Sequence, residues 1–215
     1  MTLIGVADLA ASHGWGLLSA MDLPPPFALV AGLLARSLVS YAVHVAMHKV
    51  PFLWRLHRVH HLDPHLDVST TARMHPVEAL ASAPLTMMGV LILGPSPTAV
   101  LIYEILDAAL VVFSHANIRL PLWLDRRLSL VFVTPDLHRV HHSAHQPETD
   151  SNYGATLSIW DRMFGTFRRL DAATLARLKL GLHGVDEIKA GQIGWLLTSP
   201  ILKLDRSGAK DDHDG

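Results

Sequence analysis

Eight histidines fall into three short clusters whose spacing suits metal binding. His44 and His48 stand four apart, so on a helix both imidazoles share one face. His57-Arg58-Val59-His60-His61 follows, and His138-Arg139-Val140-His141-His142 repeats it at all five positions. In each copy the histidines at i, i+3 and i+4 lie on one helical face and can converge on metal. With 15 histidines in 215 residues, one such pattern arises by chance about 0.07 times and two copies on the order of 0.003 times. An isolated histidine is ordinarily a hydrogen-bonded core or surface residue, but eight grouped in this way read as ligands.

Imidazole suits iron, zinc, copper and nickel. Eight donors exceed one tetrahedral site, because structural zinc takes four ligands and catalytic zinc three protein ligands. Two metals is the natural count. Glu78, Glu104 and Glu148 are not in the Glu-x-x-His pattern of carboxylate-bridged di-iron bundles, so the expected site is rich in nitrogen. The chain has no cysteine, which excludes disulfides, thiolate zinc sites and iron–sulfur clusters. Its formal charge of −1 gives no sign of a nucleic-acid partner or a polybasic tether.

The elements that must position these histidines are oily. Half of the chain is apolar and only 17% is charged. A first apolar stretch runs from about Phe27 to Met47, behind Pro24-Pro25-Pro26, and is interrupted by Arg36. It has roughly the 20 residues that a bilayer-spanning helix needs. A second, from Pro76 to Phe113, is broken by Gly94-Pro95-Ser96-Pro97, strong turn punctuation that predicts a helical hairpin. Lys49, Arg55, Arg58 and Arg73 crowd the 49–75 loop, whereas the hairpin tip is uncharged. The positive-inside rule then places that loop, the C-terminal half and all three clusters on the cytoplasmic side.

The expected fold is therefore all-α: an integral membrane helical bundle of about three spans, hairpin included, with a cytoplasmic helical cap holding a histidine-ligated dinuclear site. Residues 1–25 read as a short amphipathic lead-in without a secretory signal, since no basic region precedes the apolar part and Asp8 interrupts it. Residues 26–170 read as the membrane-embedded domain. Residues 171–215 read as a tail, with an interfacial helix near 191–202 and a polar, disordered end from Ser207 to Gly215. A soluble helical protein with a very apolar core is the plain alternative, and the long spans and segregated charges oppose it.

The order of the clusters resembles the fatty acid hydroxylase/sterol desaturase superfamily of integral membrane di-iron enzymes. Arg73-Met74-His75-Pro76-Val77-Glu78 is similar to that family's R-x-H-P-x-E stretch. Asp150-Ser151-Asn152-Tyr153-Gly154 and Trp160-Asp161-Arg162-Met163-Phe164-Gly165-Thr166 are similar to its D-x-N-Y-G and W-D-x-x-F-G-T segments, and the likeness covers about residues 37 to 170. It implies two iron ions, dioxygen, a separate electron donor (a reductase or small redox carrier) and a C–H bond of a lipid as target. The ligands it implies are His44, His48, His57, His60, His61, His138, His141 and His142, with His115 as a ninth. Some relatives carry a further histidine where this chain has Val111, which leaves His75 or water to complete the shell.

Three other residues complete the expected site. His75 is read as a ligand or as an imidazole that orients ligands. Asp136 is read first as the cap of the helix bearing the last cluster, and second as the holder of a ligand's outer nitrogen. Tyr153, in a tight turn, is read as lining the site. Glu104 and Asp107 are intramembrane acids, read first as partners for Arg36 or a histidine and second as functional groups. His65 and His145, off the cluster spacing, are expected to be exposed. Rival readings are carotenoid hydroxylation, ether-lipid cleavage, and a non-catalytic membrane protein holding zinc, which the same imidazoles would take in place of iron.

Overall fold

The computed structural model describes residues 1–204. The expectation of a disordered end over 207–215 lies outside the described residues. Twelve helices run through the described residues: α1 (Leu3–Ser12), α2 (Pro25–Lys49), α3 (Pro51–His61), α4 (Pro76–Leu93), α5 (Pro97–His115), α6 (Leu122–Leu128), α7 (Pro135–His141), α8 (Gln146–Thr149), α9 (Ile159–Phe164), α10 (Ala172–Arg177), α11 (Glu187–Ala190) and α12 (Ile193–Thr198). Tight 3-10 turns cover Leu18–Ala20, Val68–Ala72 and Ser199–Ile201. Among the described residues there is no strand, only two isolated bridges, Phe132 with Leu157 and Ser143 with Leu180. The all-helical expectation holds.

Helices α2, α4 and α5 are each long and apolar enough to cross a membrane. Their outward faces carry exposed Phe27, Val30, Leu80, Ile92, Ile105 and Val112. In α4 only 11% of the apolar window is buried within the protein. Apolar surface this continuous needs lipid to cover it. This is a membrane protein.

Local chemistry sets where each span stops. Proline follows an extended residue at the head of α2, α3, α4, α5 and α7, where its fixed φ suits the first turn and its missing N–H costs nothing. At the hairpin tip Gly94 ends α4 in the left-handed region (φ 65°), and the Ser96 hydroxyl accepts from Ala99 N–H at 3.2 Å to start α5. Helix α2 packs against both hairpin arms. A Cβ on Gly89 would come within 2.7 Å of Val39, so the α2–α4 crossing is close because residue 89 has none.

Helix α1 closes the tip end of the bundle. Its Val6 and Ala7 are fully buried against Val90 and Val100, and Leu17 N–H reaches Ile92 O at 2.9 Å. The histidines lie at the opposite end, on the last turns of α2 and α5 and on α3 and α7. The C-terminal segment packs beside them. Arg58, buried, donates to the carbonyls of Ser199 and Leu202, while Ile193, Leu197 and Ile201 stay exposed. That apolar outer face suits the membrane–water boundary.

Candidate metal centre

Val50, extended before Pro51, ends α2 and turns the chain sharply into α3, so His44 and His48 face His57 and His61. Helix α7 brings the second repeat, and α5 delivers His115 as its last residue. The nine histidines then divide into two groups. His44, His48, His57, His61 and His141 form one, and His60, His115, His138 and His142 form the other; within each, the ligand nitrogens all lie within 4.8 Å of one another.

The two repeats use their positions in opposite ways. In the first, i and i+4 (His57, His61) enter the five-histidine group and i+3 (His60) enters the four-histidine group. In the second, i and i+4 (His138, His142) enter the four-histidine group and i+3 (His141) crosses to the five. Residues i and i+4 are separated by about 40° around a helix, and i+3 falls on the other side of i by about 60°. Each repeat therefore clamps one group and reaches into its neighbour. Spacing brought the three positions of a repeat to one side of its helix, and the fold divides them between two groups.

Hydrogen bonds on the outer nitrogens aim the inner ones. Nδ1–H of His44 donates to Tyr153 O at 2.7 Å, His141 to Ser151 O at 2.7 Å, His60 to Thr70 O at 3.1 Å and His115 to Val111 O at 2.8 Å. His57 Nδ1–H donates to Glu78 Oε1 at 2.8 Å. A carbonyl or carboxylate oxygen only accepts, so each of these rings carries its proton outside and turns a bare Nε2 inward. Those Nε2 atoms meet at 3.1 Å (His44–His57), 3.2 Å (His44–His141) and 3.2 Å (His60–His115). Facing lone pairs repel unless a cation sits between them. For a metal–imidazole bond of about 2.1 Å, two ligands at right angles lie about 3.0 Å apart, which fits. His61 has both ring nitrogens buried without a hydrogen-bond partner, a further sign of a missing acceptor of its lone pair. Burial, with the neighbouring imidazoles, holds His60, His61, His138 and His142 well below the ordinary histidine range, and holds His141 down to about 3. These five rings are neutral, the form that binds metal.

The segment from Asp150 to Gly154 is the clip behind the five-histidine group. Asn152 takes a left-handed conformation (φ 51°), and its side chain donates to Leu137 O and Arg168 O and accepts from Arg168 N–H. Asp161 accepts from Tyr153 N–H at 2.7 Å, Gly154 N–H at 2.9 Å and the Thr166 hydroxyl at 2.7 Å. These bonds fix the carbonyls that orient His44 and His141. The Tyr153 ring, fully buried, stands edge-on to His48 at 5.0 Å between centroids and bonds Asp150 through its hydroxyl. Trp160 ties the clip to α2 through Ser37 at 3.0 Å.

Other expected residues stand elsewhere. His75 lies outside both groups, where its Nδ1 accepts from Val77 N–H as the N-cap of α4 and its Nε2 meets Leu197 O at 3.2 Å. Asp136 does not cap α7; Thr134 does, because the cap must precede the first helical residue and Asp136 is already in the first turn. Nor does Asp136 hold a ligand, for its Oδ1 is buried without a hydrogen-bond partner and His138 Nδ1 likewise has none. His65 and His145 are exposed, as expected. The supports that the sequence did not reveal include Glu78, Asp161 and the carbonyls of Ser151, Tyr153, Thr70 and Val111. The carboxylates stood within the R-x-H-P-x-E and W-D-x-x-F-G-T segments, and that was the available signal.

A cavity of about 450 Å³ opens beneath the centre. His44, His57, His60, His115 and His138 form its roof, and α2, α4 and α5 wall it with Val43, Met47, Ala79 and Val111. Bundle and site together define a membrane protein with a two-compartment histidine metal site, open to a pocket among its spans. The chain belongs to the fatty acid hydroxylase family, whose model matches residues 29–166. It is 35% identical over 147 residues to the ornithine lipid hydroxylase of Rhizobium tropici, covering 67% of this chain and 43% of that protein. It is 29% identical over 157 residues to the alkylglycerol monooxygenase of Caenorhabditis elegans (71% of this chain, 30% of the relative) and 29% over 137 residues to human cholesterol 25-hydroxylase (63% and 49%). The chain thus spans less than half the length of each of these relatives. No solved structure matches it.

Proposed function

We propose that this protein oxidises a C–H bond of a membrane lipid, by hydroxylation or desaturation, with two iron ions in the two histidine groups and dioxygen as oxidant. The observation that carries this reading is the cavity: it lies among lipid-facing spans, and its roof is built from ligands of both groups. The three named relatives are lipid hydroxylases or monooxygenases by name, and their different lipids leave the chemistry as the shared part. Five imidazoles in one group exceed what four-coordinate zinc uses and suit iron. Iron so held supplies the redox chemistry that activates dioxygen.

The chain's own residues do the rest. His44, His48, His57, His61 and His141 hold one ion, and His60, His115, His138 and His142 the other. Glu78, Tyr153 O and Ser151 O keep the outer protons in place, so the rings cannot rotate away from the metal. Val43, Met47, Ala79 and Val111 exclude water and align an alkyl chain under the roof. Hydroxylation converts R–H, dioxygen, two electrons and two protons to R–OH and water. A separate electron donor supplies those electrons. The basic 49–75 loop supports a cytoplasmic position for the histidine end.

The test is comparative lipid profiling of cells that express the intact protein or His141→Ala. The reading predicts an oxygenated or newly unsaturated lipid with the first and none with the second. Identical profiles would contradict it.

A further inference from the structure

The cavity reaches well past the histidines. Deep among the spans its wall carries Arg36 and Ser40 from α2 and Glu104 and Asp107 from α5. Arg36 precedes His44 by eight residues, about 12 Å along α2, and Glu104 precedes His115 by eleven, about 16 Å along α5. Arg36 is 6% exposed, and its Nε and Nη2 donate to one oxygen of Glu104 at 2.9 and 2.8 Å. The guanidinium lies 4.8 Å from the centre of the Tyr103 ring, and the Tyr103 hydroxyl donates to Asp107 Oδ1 at 2.9 Å.

An ion pair that only steadies two helices needs one cation and one anion. Here two features are surplus to that role. Arg36 Nη1 is buried with no hydrogen-bond partner. A second carboxylate, Asp107, lines the same cavity beside Glu104, whose side chain is 38% exposed. Leaving such groups against hydrocarbon is costly, so their natural occupant is polar. The chemistry selects which polar group. A carboxylate or phosphate would meet two acidic side chains. An ammonium would sit beside the guanidinium and leave Nη1–H unsatisfied. A hydroxyl is neutral, can accept from a guanidinium N–H and can donate to a carboxylate oxygen, so it suits a wall that carries both.

We propose that Arg36, Glu104 and Asp107 form a subsite for a hydroxyl group of the substrate, at the inner end of the cavity. The inference rests on the reading of this cavity as the place of lipid oxidation. It narrows the substrate class to amphiphiles whose hydroxyl lies about 12–16 Å from the carbon oxidised, on the order of ten bonds of an extended chain. The three residues are specificity-determining and touch no metal ligand in the role assigned.

The test uses the full-length, iron-loaded protein in micelles, with lauryl alcohol and dodecane as probes of equal chain length. Binding is read from the stabilisation each gives against thermal unfolding, which needs no turnover. The wild type should bind the alcohol about tenfold more tightly than the alkane, the gain of a hydrogen bond to charged groups. Arg36→Met combined with Glu104→Leu removes the ion pair and leaves only Asp107 of the subsite, so it should lower the preference for the alcohol at least threefold while keeping its iron. If that double variant does not fold, Asp107→Leu should still reduce the preference at least threefold. Equal binding of alcohol and alkane by the wild type, or an undiminished preference in the folded variant, would overturn the subsite. Oxygen uptake with lipid is scored separately: a protein that prefers the alcohol yet oxidises nothing refutes the oxygenase reading and leaves the subsite standing.

Discussion

Each imidazole has two nitrogens, and here the bonds of the outer one decide what the inner one can do. Glu78 is the sharpest case. It holds the Nδ1 proton of His57 at 2.8 Å in a buried setting, and removing it frees the ring to rotate or change tautomer. Glu78→Ala should lower metal affinity by about 10- to 100-fold, read as iron lost on dialysis from a protein that still folds. His75, three residues earlier in the same motif, should behave differently. It caps α4 and stands outside both groups, so His75→Ala should retain full iron and cost about 1 kcal/mol, measured by denaturant unfolding in micelles. Iron loss from His75→Ala equal to that from Glu78→Ala would refute this division of labour. The sequence showed both residues in one recognisable stretch but not which served the metal. That depends on which way each side chain leaves the start of α4.

At the level of elements, the site is two identical pentapeptides set against each other by two proline-led turns. The ligands were legible because a helix repeats its faces every three to four residues, a purely local property. Their division into two groups was not, because it depends on how α3 and α7 face one another across 81 residues of chain. The clip was equally hidden: His44 finds its acceptor 109 residues away at Tyr153. Asn152 holds that clip in a backbone conformation that few side chains tolerate, through three side-chain hydrogen bonds. Asn152→Ala should therefore weaken the five-histidine group before the four-histidine group, seen as loss of about one of two irons. Loss of both together would show that the clip supports the whole cap. The α2–α4 crossing gives a control remote from the metal. Gly89→Val would drive new carbons into Val39 and should destabilise the bundle by about 1–3 kcal/mol in thermal unfolding.

For the molecule as a whole, hydropathy and turn chemistry were enough to read three spans, a hairpin tip at Gly94–Pro97 and a metal site at one end. The cavity was not readable, since it is the space left between three helices rather than a property of any of them. Its presence is what turns a metal-binding bundle into a candidate oxygenase. Zinc storage would need the histidines but no pocket beneath them. The spans predict that the protein stays with membranes through an alkaline, high-salt wash and leaves only with detergent. The central claim is the two-compartment iron site, and metal counting after anaerobic purification from iron-replete cells tests it most directly. Two irons per chain, falling toward one in His142→Ala, is the result the geometry predicts. A single metal per chain, or tightly held zinc with no iron, would contradict it.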